Sequence, residues 1–193
     1  GVMPRLLQSL KPLYVFSSHF HEDHFNRDIF SWQTRKANVR YILSKDILKH
    51  RRAQKEEADA WLGKGATWED ELLRVTATGS NDSGVSWVIE TDGKRIFHAG
   101  DLNNWHWMDE SPEEEWKRDE AFFLCELEDI AVCKAKMDVV LFPVDPRLGK
   151  EYMRGPLQFV KRIKTTIFVP MHFDEAFEKA SAFAPLTASE GTQ

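Results

Sequence analysis

The chain has 193 residues, a formal charge of −5 and 42% hydrophobic side chains, enough to fill one domain's core without disulfide staples. Lys and Arg total 26 against 31 Asp and Glu, which argues against a domain built mainly to grip phosphate backbones. No stretch approaches the roughly 20 consecutive apolar residues of a membrane span or reads as a signal peptide. The two cysteines exclude a disulfide framework and favour a reducing, cytoplasmic setting.

No repeat or linker divides the chain, so residues 1–193 read as a single domain. Residues 13–17 (LYVFS) are short, apolar and β-rich, and read as a buried strand running directly into a histidine cluster. Asn26 or Asp28 can cap a helix reaching about Lys36. Residues 39–43 (VRYIL) form a second strand, after which Ser44 and Asp46 can cap another helix. The charged run over 45–60 reads as a solvated helix face rather than an anion-binding one. A meander follows, with strands over 71–78 and 85–90 and a Thr91-Asp92-Gly93-Lys94 turn into a strand over 95–99. Ser111-Pro112-Glu113-Glu114 has the form of a helix start, and the helix is expected to reach about Lys136 with a break near Asp119. Residues 138–142 (DVVLF) and 166–170 (TIFVP) are buried strands separated by a helix after Pro156, and Asp174 can cap a final helix to about Phe183. Cys125 and Cys133 read as core thiols. Strand and helix alternate in both halves around the meander, an α/β arrangement with two sheets or one large mixed sheet.

The histidine cluster, Ser18-His19-Phe20-His21-Glu22-Asp23-His24, contains His-x-His-x-Asp-His. In extended chain, positions i and i+2 share a face, so His19 and His21 can grip one cation. Asp23 and His24 follow where the chain turns toward a helix and can reach a second. Imidazole with carboxylate suits zinc, iron or manganese, and the absence of thiolates argues against a closed structural zinc site.

This segment, placed after a short buried strand, resembles the metal motif of the metallo-β-lactamase fold superfamily. Phe97-His98-Ala99-Gly100-Asp101 resembles that family's Gly-Asp loop, whose aspartate bridges two metals, and Val169-Pro170-Met171-His172 resembles its final metal histidine. The resemblance covers about residues 13–175. It implies an αββα four-layer sandwich, expected here to lack its first strands, and one or two divalent ions, zinc before manganese or iron. One metal would take His19, His21 and Asp101; the other would take Asp23, His24, Asp101 and His172, with Asp23 and Asp101 also serving catalysis. The family's further histidine for the first metal is absent from the Thr78-Gly79-Ser80-Asn81-Asp82-Ser83-Gly84 loop. Asp82 can replace it as an extra ligand, Ser80 or Asn81 can hold a water, or that site is weak or empty.

The implied activity is hydrolysis of a small ester, lactone or phosphodiester by a metal-bound hydroxide, in look closest to the L-ascorbate-6-phosphate lactonase-like branch. Trp105 and Trp107 can wall a substrate pocket, and Arg147 can either clamp a carboxylate or phosphate or bond Asp145. His98 reads as a structural histidine or a proton carrier, and His106 as loop packing or, alternatively, a ligand or acid. Two other readings stand: a non-catalytic metal- or ligand-binding module on the same fold, and an RNA-processing metallo-nuclease, which the acidic charge disfavours. The expected partner is a small molecule, not nucleic acid or membrane; oligomeric state is left open.

Overall fold

The computed structural model describes residues 2–132 and 136–193. A short helix, α1 (Val2–Gln8), precedes β1 (Leu13–Ser17), which pairs in parallel with β2 (Val39–Ser44), itself parallel to β3 (Ala60–Leu62). The helix expected between the first two strands is a 3₁₀ helix, Arg27–Thr34, with Asn26 accepting the Asp28 amide at 2.8 Å. Ser44 caps α2 (Lys45–Lys49) as anticipated, but Arg51 takes a left-handed φ of 56° and the helix ends there. The charged run is therefore not one helix face. Its later part forms a 3₁₀ turn, Lys55–Glu57, whose Glu57 pairs with Arg27 across the layer.

The second sheet has six strands in sequence order: β4 (Thr67–Glu69), β5 (Leu73–Thr78), β6 (Ser86–Thr91), β7 (Lys94–His98), β8 (Met137–Pro143) and β9 (Thr165–Met171). The first four run antiparallel, and β8 and β9 continue parallel to β7. At the β6–β7 turn Asp92 and Gly93 have φ of 49° and 69°, the positive pair that a two-residue hairpin requires. Helix α3 (Glu113–Ala131) joins β7 to β8, and α4 (Arg154–Arg162) joins β8 to β9. Two short helices, α5 (Phe177–Ser181) and α6 (Ala184–Ser189), follow.

Period-two burial explains the layering. Ile42, Leu62, Leu73, Val75, Val85 and Trp87 fill the space between the sheets. Tyr41 and Leu43, on the other face of β2, pack with Phe25, Phe30 and Ile47. Phe97, Val140, Phe142 and Phe168 meet Phe123, Leu127, Ile130 and Phe159 of α3 and α4. The result is helix, sheet, sheet, helix, the expected four-layer sandwich, with each fully buried large side chain contributing about 1.5–3 kcal/mol.

Five expectations are corrected. Helix α3 runs unbroken through Asp119, because Phe123, Leu127 and Ile130 keep one apolar stripe buried while the charged run faces water; its N-cap is Pro112, not Ser111. Asp174 sits at φ 46° and caps nothing; α5 starts at Phe177. Cys125 is an exposed free thiol on the polar side of α3, and Cys133 lies outside the described residues. Helix formation also continues past Phe183 into α6.

Glu120 of α3 ties this layer together. It accepts from Arg154 Nε at 2.6 Å, Gln158 Nε2 at 2.6 Å and Asn104 Nδ2 at 2.9 Å, linking two helices to the loop after β7. The Arg154 hydrogen bond, against burial, holds the Glu120 carboxyl below its ordinary value of 4.5. Its folded-state pKa is depressed, so its contribution to stability is present above that ordinary value and lost as pH falls below it. Glu120→Gln should cost about 1–3 kcal/mol near pH 7 in urea unfolding, with the gap to the parent chain closing toward about pH 3.

Candidate metal centre

The histidine segment is shaped by its surroundings before its imidazoles are considered. Ser17 Oγ, at the end of β1, donates to the carbonyls of His24 at 2.8 Å and His19 at 3.3 Å, folding residues 18–24 back over the strand end. Asp46 accepts the Phe20 amide at 3.2 Å, and the Phe20 ring stacks on His50 at 3.7 Å. On the other side the Ser18 carbonyl accepts the Val85 amide at 3.0 Å. That approach requires glycine at position 84: at its φ of 65°, a Cβ would fall 1.9 Å from the Ser18 oxygen and 2.6 Å from His19 Cβ. Gly100, at φ 57°, is pressed against Ser18 in the same way.

Asp101, just past β7, meets this segment. Its Oδ2 lies 3.3 Å from His19 Nε2, while its Oδ1 lies 3.0 Å from His24 Nε2 and 3.5 Å from His172 Nε2. Two donor sets result: His19, His21 and Asp101, and Asp23, His24 and His172, with the ligand atoms of each set within 4.8 Å of one another. Ser18 Oγ lies 3.0 Å from His19 Nδ1 and 3.4 Å from His24 Nδ1, which leaves both Nε2 atoms directed at Asp101. Burial pushes the Asp101 carboxyl up, but His19 and His24 outweigh it and hold it well below the usual carboxylate range. These contacts are close without hydrogen-bond geometry: His19 Nε2 and Asp101 Oδ1 are buried and have no hydrogen-bond partner among the described residues. Such orphans are costly unless a cation takes their lone pairs, and the nitrogen and oxygen donors fit zinc, iron or manganese.

The remaining expected residues divide. Asp82 is exposed at the rim of a cavity of about 320 Å³ that reaches Asp101 and His172. It stands outside both donor sets, and desolvation followed by the Asp101 charge raises its pKa. Trp105 and Trp107 line that cavity with near-parallel rings 6.3 Å apart, and Trp105 Nε1 donates to the Asp101 carbonyl at 2.7 Å. Arg147 also lines it, but its Nε and Nη2 are bonded to Asp145, at 2.9 and 2.5 Å from Oδ2. His98 Nδ1 accepts the Gly100 amide at 3.0 Å, and the ring borders a separate cleft with Asp23 and His24. His106 is fully buried, with Nδ1 accepting from Met108 and Nε2 donating to the Glu151 carbonyl; both nitrogens are spent on packing, so it is neither ligand nor acid.

Two participants were not anticipated. Asn81, considered only as a water holder, donates to the Asn103 carbonyl at 2.8 Å and accepts the Asn103 amide at 3.2 Å, pinning the Asp82 loop to the Asp101 loop. Asp145 accepts from His172 Nδ1 at 2.9 Å; its position just past a strand end was the available signal. That hydrogen bond, against burial, raises the His172 pKa.

Residues 3–173 match the beta-lactamase superfamily domain. The chain is 27% identical over 202 residues to a UPF0173 metal-dependent hydrolase of Symbiobacterium thermophilum, covering 97% of this chain and 79% of that protein. Among solved structures, CmlA, a diiron beta-hydroxylase from Streptomyces venezuelae, superposes with a TM-score of 0.60 at 12% identity over 93% of this chain, which spans only 42% of CmlA. The metallo-beta-lactamase fold protein YhfI from Bacillus subtilis gives 0.51 at 12% identity, over 94% of this chain and 77% of its own. Zn²⁺-bound PqqB from Methylobacterium extorquens gives 0.50 at 16% identity, over 94% and 67%. At these identities the structural likeness shows the fold.

The Gly84 crossing yields a direct test. Gly84→Ala should destabilise the chain by roughly 2 kcal/mol or more, since both the backbone conformation and the contact with Ser18 oppose a methyl group. Chemical unfolding measures it.

Proposed function

This chain belongs to the beta-lactamase superfamily, and on that premise we propose that it is a metal-dependent hydrolase of small esters, lactones or phosphodiesters. One observation carries the reading: a buried carboxylate, Asp101, turns one oxygen to each of two imidazole sets while His19 Nε2 and its own Oδ1 lack hydrogen-bond partners among the described residues. The hydrolase class is supported by the Symbiobacterium thermophilum relative.

In this reading His19, His21 and Asp101 hold one divalent ion, and Asp23, His24 and His172 with Asp101 hold another. Zinc is the first choice, with manganese or iron as alternatives. Asp82, outside both donor sets but on the same cavity as Asp101, is the nearest substitute the chain offers for the missing histidine. A bound divalent ion supplies Lewis acidity and brings the pKa of water toward neutrality. Asp101 keeps the two sets in register. Asp23, whose side chain is 70% exposed beside His24, is placed to take a proton from the attacking water and pass it to the leaving group. Trp105 and Trp107 offer flat faces to a ring-shaped substrate, and the Nη1 edge of Arg147, unused by Asp145, can meet an oxyanion. A cavity of about 320 Å³ suits a small molecule rather than nucleic acid or a membrane surface. The finer reading is a sugar-derived lactone, in the manner of the L-ascorbate-6-phosphate lactonase-like branch, handled in the cytoplasm by one domain spanning residues 1–193.

Metal analysis paired with a panel of lactones, phosphodiesters and thioesters tests this. About two ions per chain are expected, with turnover abolished by chelation and restored by metal. His21→Ala should lower turnover by about a hundredfold or more with an unchanged circular dichroism spectrum. Turnover that survives chelation overturns the reading, and a chain that takes up no metal replaces it with the binding-module alternative.

A further inference from the structure

We infer that Asp145 is the positioning residue for His172, and that the first task of Arg147 is to hold the Asp145 side chain in place. The inference rests on reading His172 as a metal ligand. The two residues meet because β8 and β9 are parallel neighbours in matched register: Phe142 pairs with Pro170 and Pro143 with Met171, and the Val144 amide extends the ladder to the Met171 carbonyl at 2.9 Å. Asp145 and His172 leave this ladder side by side.

The backbone on each side is committed. Asp145 is 1% exposed and caps the 3₁₀ turn Pro146–Glu151, its Oδ1 accepting the Arg147 amide at 2.9 Å. His172 adopts a φ of 66°, a left-handed conformation that costs a residue with a Cβ about 1–2 kcal/mol and persists only where neighbours hold it. The Asp145 Oδ2 contact at 2.9 Å is such a hold.

That contact also decides which ring nitrogen is available. A carboxylate can only accept, so Nδ1 carries the proton and the Nε2 lone pair faces Asp101, 3.5 Å away. Arg147 Nη2 lies 3.3 Å from His172 Nδ1; with both groups donors, the Asp145 Oδ2 between them accepts from each. The guanidinium thereby supplies the positive charge that a buried carboxylate needs. An ordinary surface ion pair would leave the imidazole free to rotate or to adopt the other tautomer.

Calorimetric titration of the metal-stripped full chain with Zn²⁺ alone separates positioning from simple packing. The parent chain is expected to bind two ions. Asp145→Ala should retain one equivalent and weaken the other by about 10- to 100-fold, with Asp145→Asn, which keeps an acceptor oxygen, in between. In a His172→Ala background, Asp145→Ala should have no further effect on Zn²⁺ affinity. Asp145→Asn also serves as the readout should the alanine variant fail to fold. Parent-like affinity for both ions in the Asp145 variants, or an equal loss with and without His172, overturns the inference while leaving the metal reading intact. A parent chain that binds no Zn²⁺ overturns both.

Discussion

Asp101 is buried where the two sheets meet, and a carboxylate in that setting is stable only beside compensating positive charge. Around it the chain gathers imidazoles drawn from distant parts of the sequence, His19 and His24 from the turn after β1 and His172 from the end of β9, as donors for a cation that would supply that charge. Each is delivered by a strand end, and each depends on a neighbour for its orientation. Ser18 addresses His19 and His24, and Asp145 addresses His172. The cluster is thus over-determined by backbone and hydrogen bonding, while two of its own atoms have no hydrogen-bond partner among the described residues. A cluster organised in that way is better matched to a bound cation than to the folding of the apoprotein alone.

Much of this was legible because the chemistry is local. Two histidines two apart after a β-rich pentapeptide, followed by Asp-His, can be read without knowing the fold, and the Thr-Asp-Gly-Lys turn carries its own backbone requirement. What escaped was decided by tertiary neighbours. The strands Ala60–Leu62 and Thr67–Glu69 are three residues each, too short for a period-two pattern to stand out. The charged stretch after Ser44 reads as helix by composition, yet the left-handed Arg51 ends it. His106 and His172 are both loop histidines near carboxylates or carbonyls; only the fold shows that the first spends both nitrogens on backbone and the second turns one toward Asp101. Asp145 was visible as a partner for Arg147, but its role toward His172 needs the parallel register of β8 and β9, which no local pattern encodes.

The loop after Asp101 adds an aromatic side to this arrangement. Trp105 bonds the Asp101 carbonyl and stands edge-on to His172 at 5.6 Å, and Trp107 lies nearly parallel behind it. Asn103 and Asn104 anchor the same loop, one to Asn81 and the other to Glu120 and Gln158. The wall of the cavity and the shared carboxylate therefore belong to one rigid stretch of chain, braced from both the meander and the outer helices. Rigid support of this kind is what a site needs to hold its groups within fractions of an ångström.

The donors come from both layers of strands, with His19, His21, Asp23 and His24 on one sheet and Asp101 and His172 on the other. Ions gripped by the two donor sets would act as clasps across the sandwich, bonded to each half beside the apolar packing and the hydrogen bonds, Val85 to Ser18 and Tyr14 to Asp70, that already join them. Whatever free energy that grip releases is added to the resistance of the two halves to parting, in proportion to the logarithm of ion concentration over its dissociation constant. Cation supply would then set mechanical cohesion as well as chemistry.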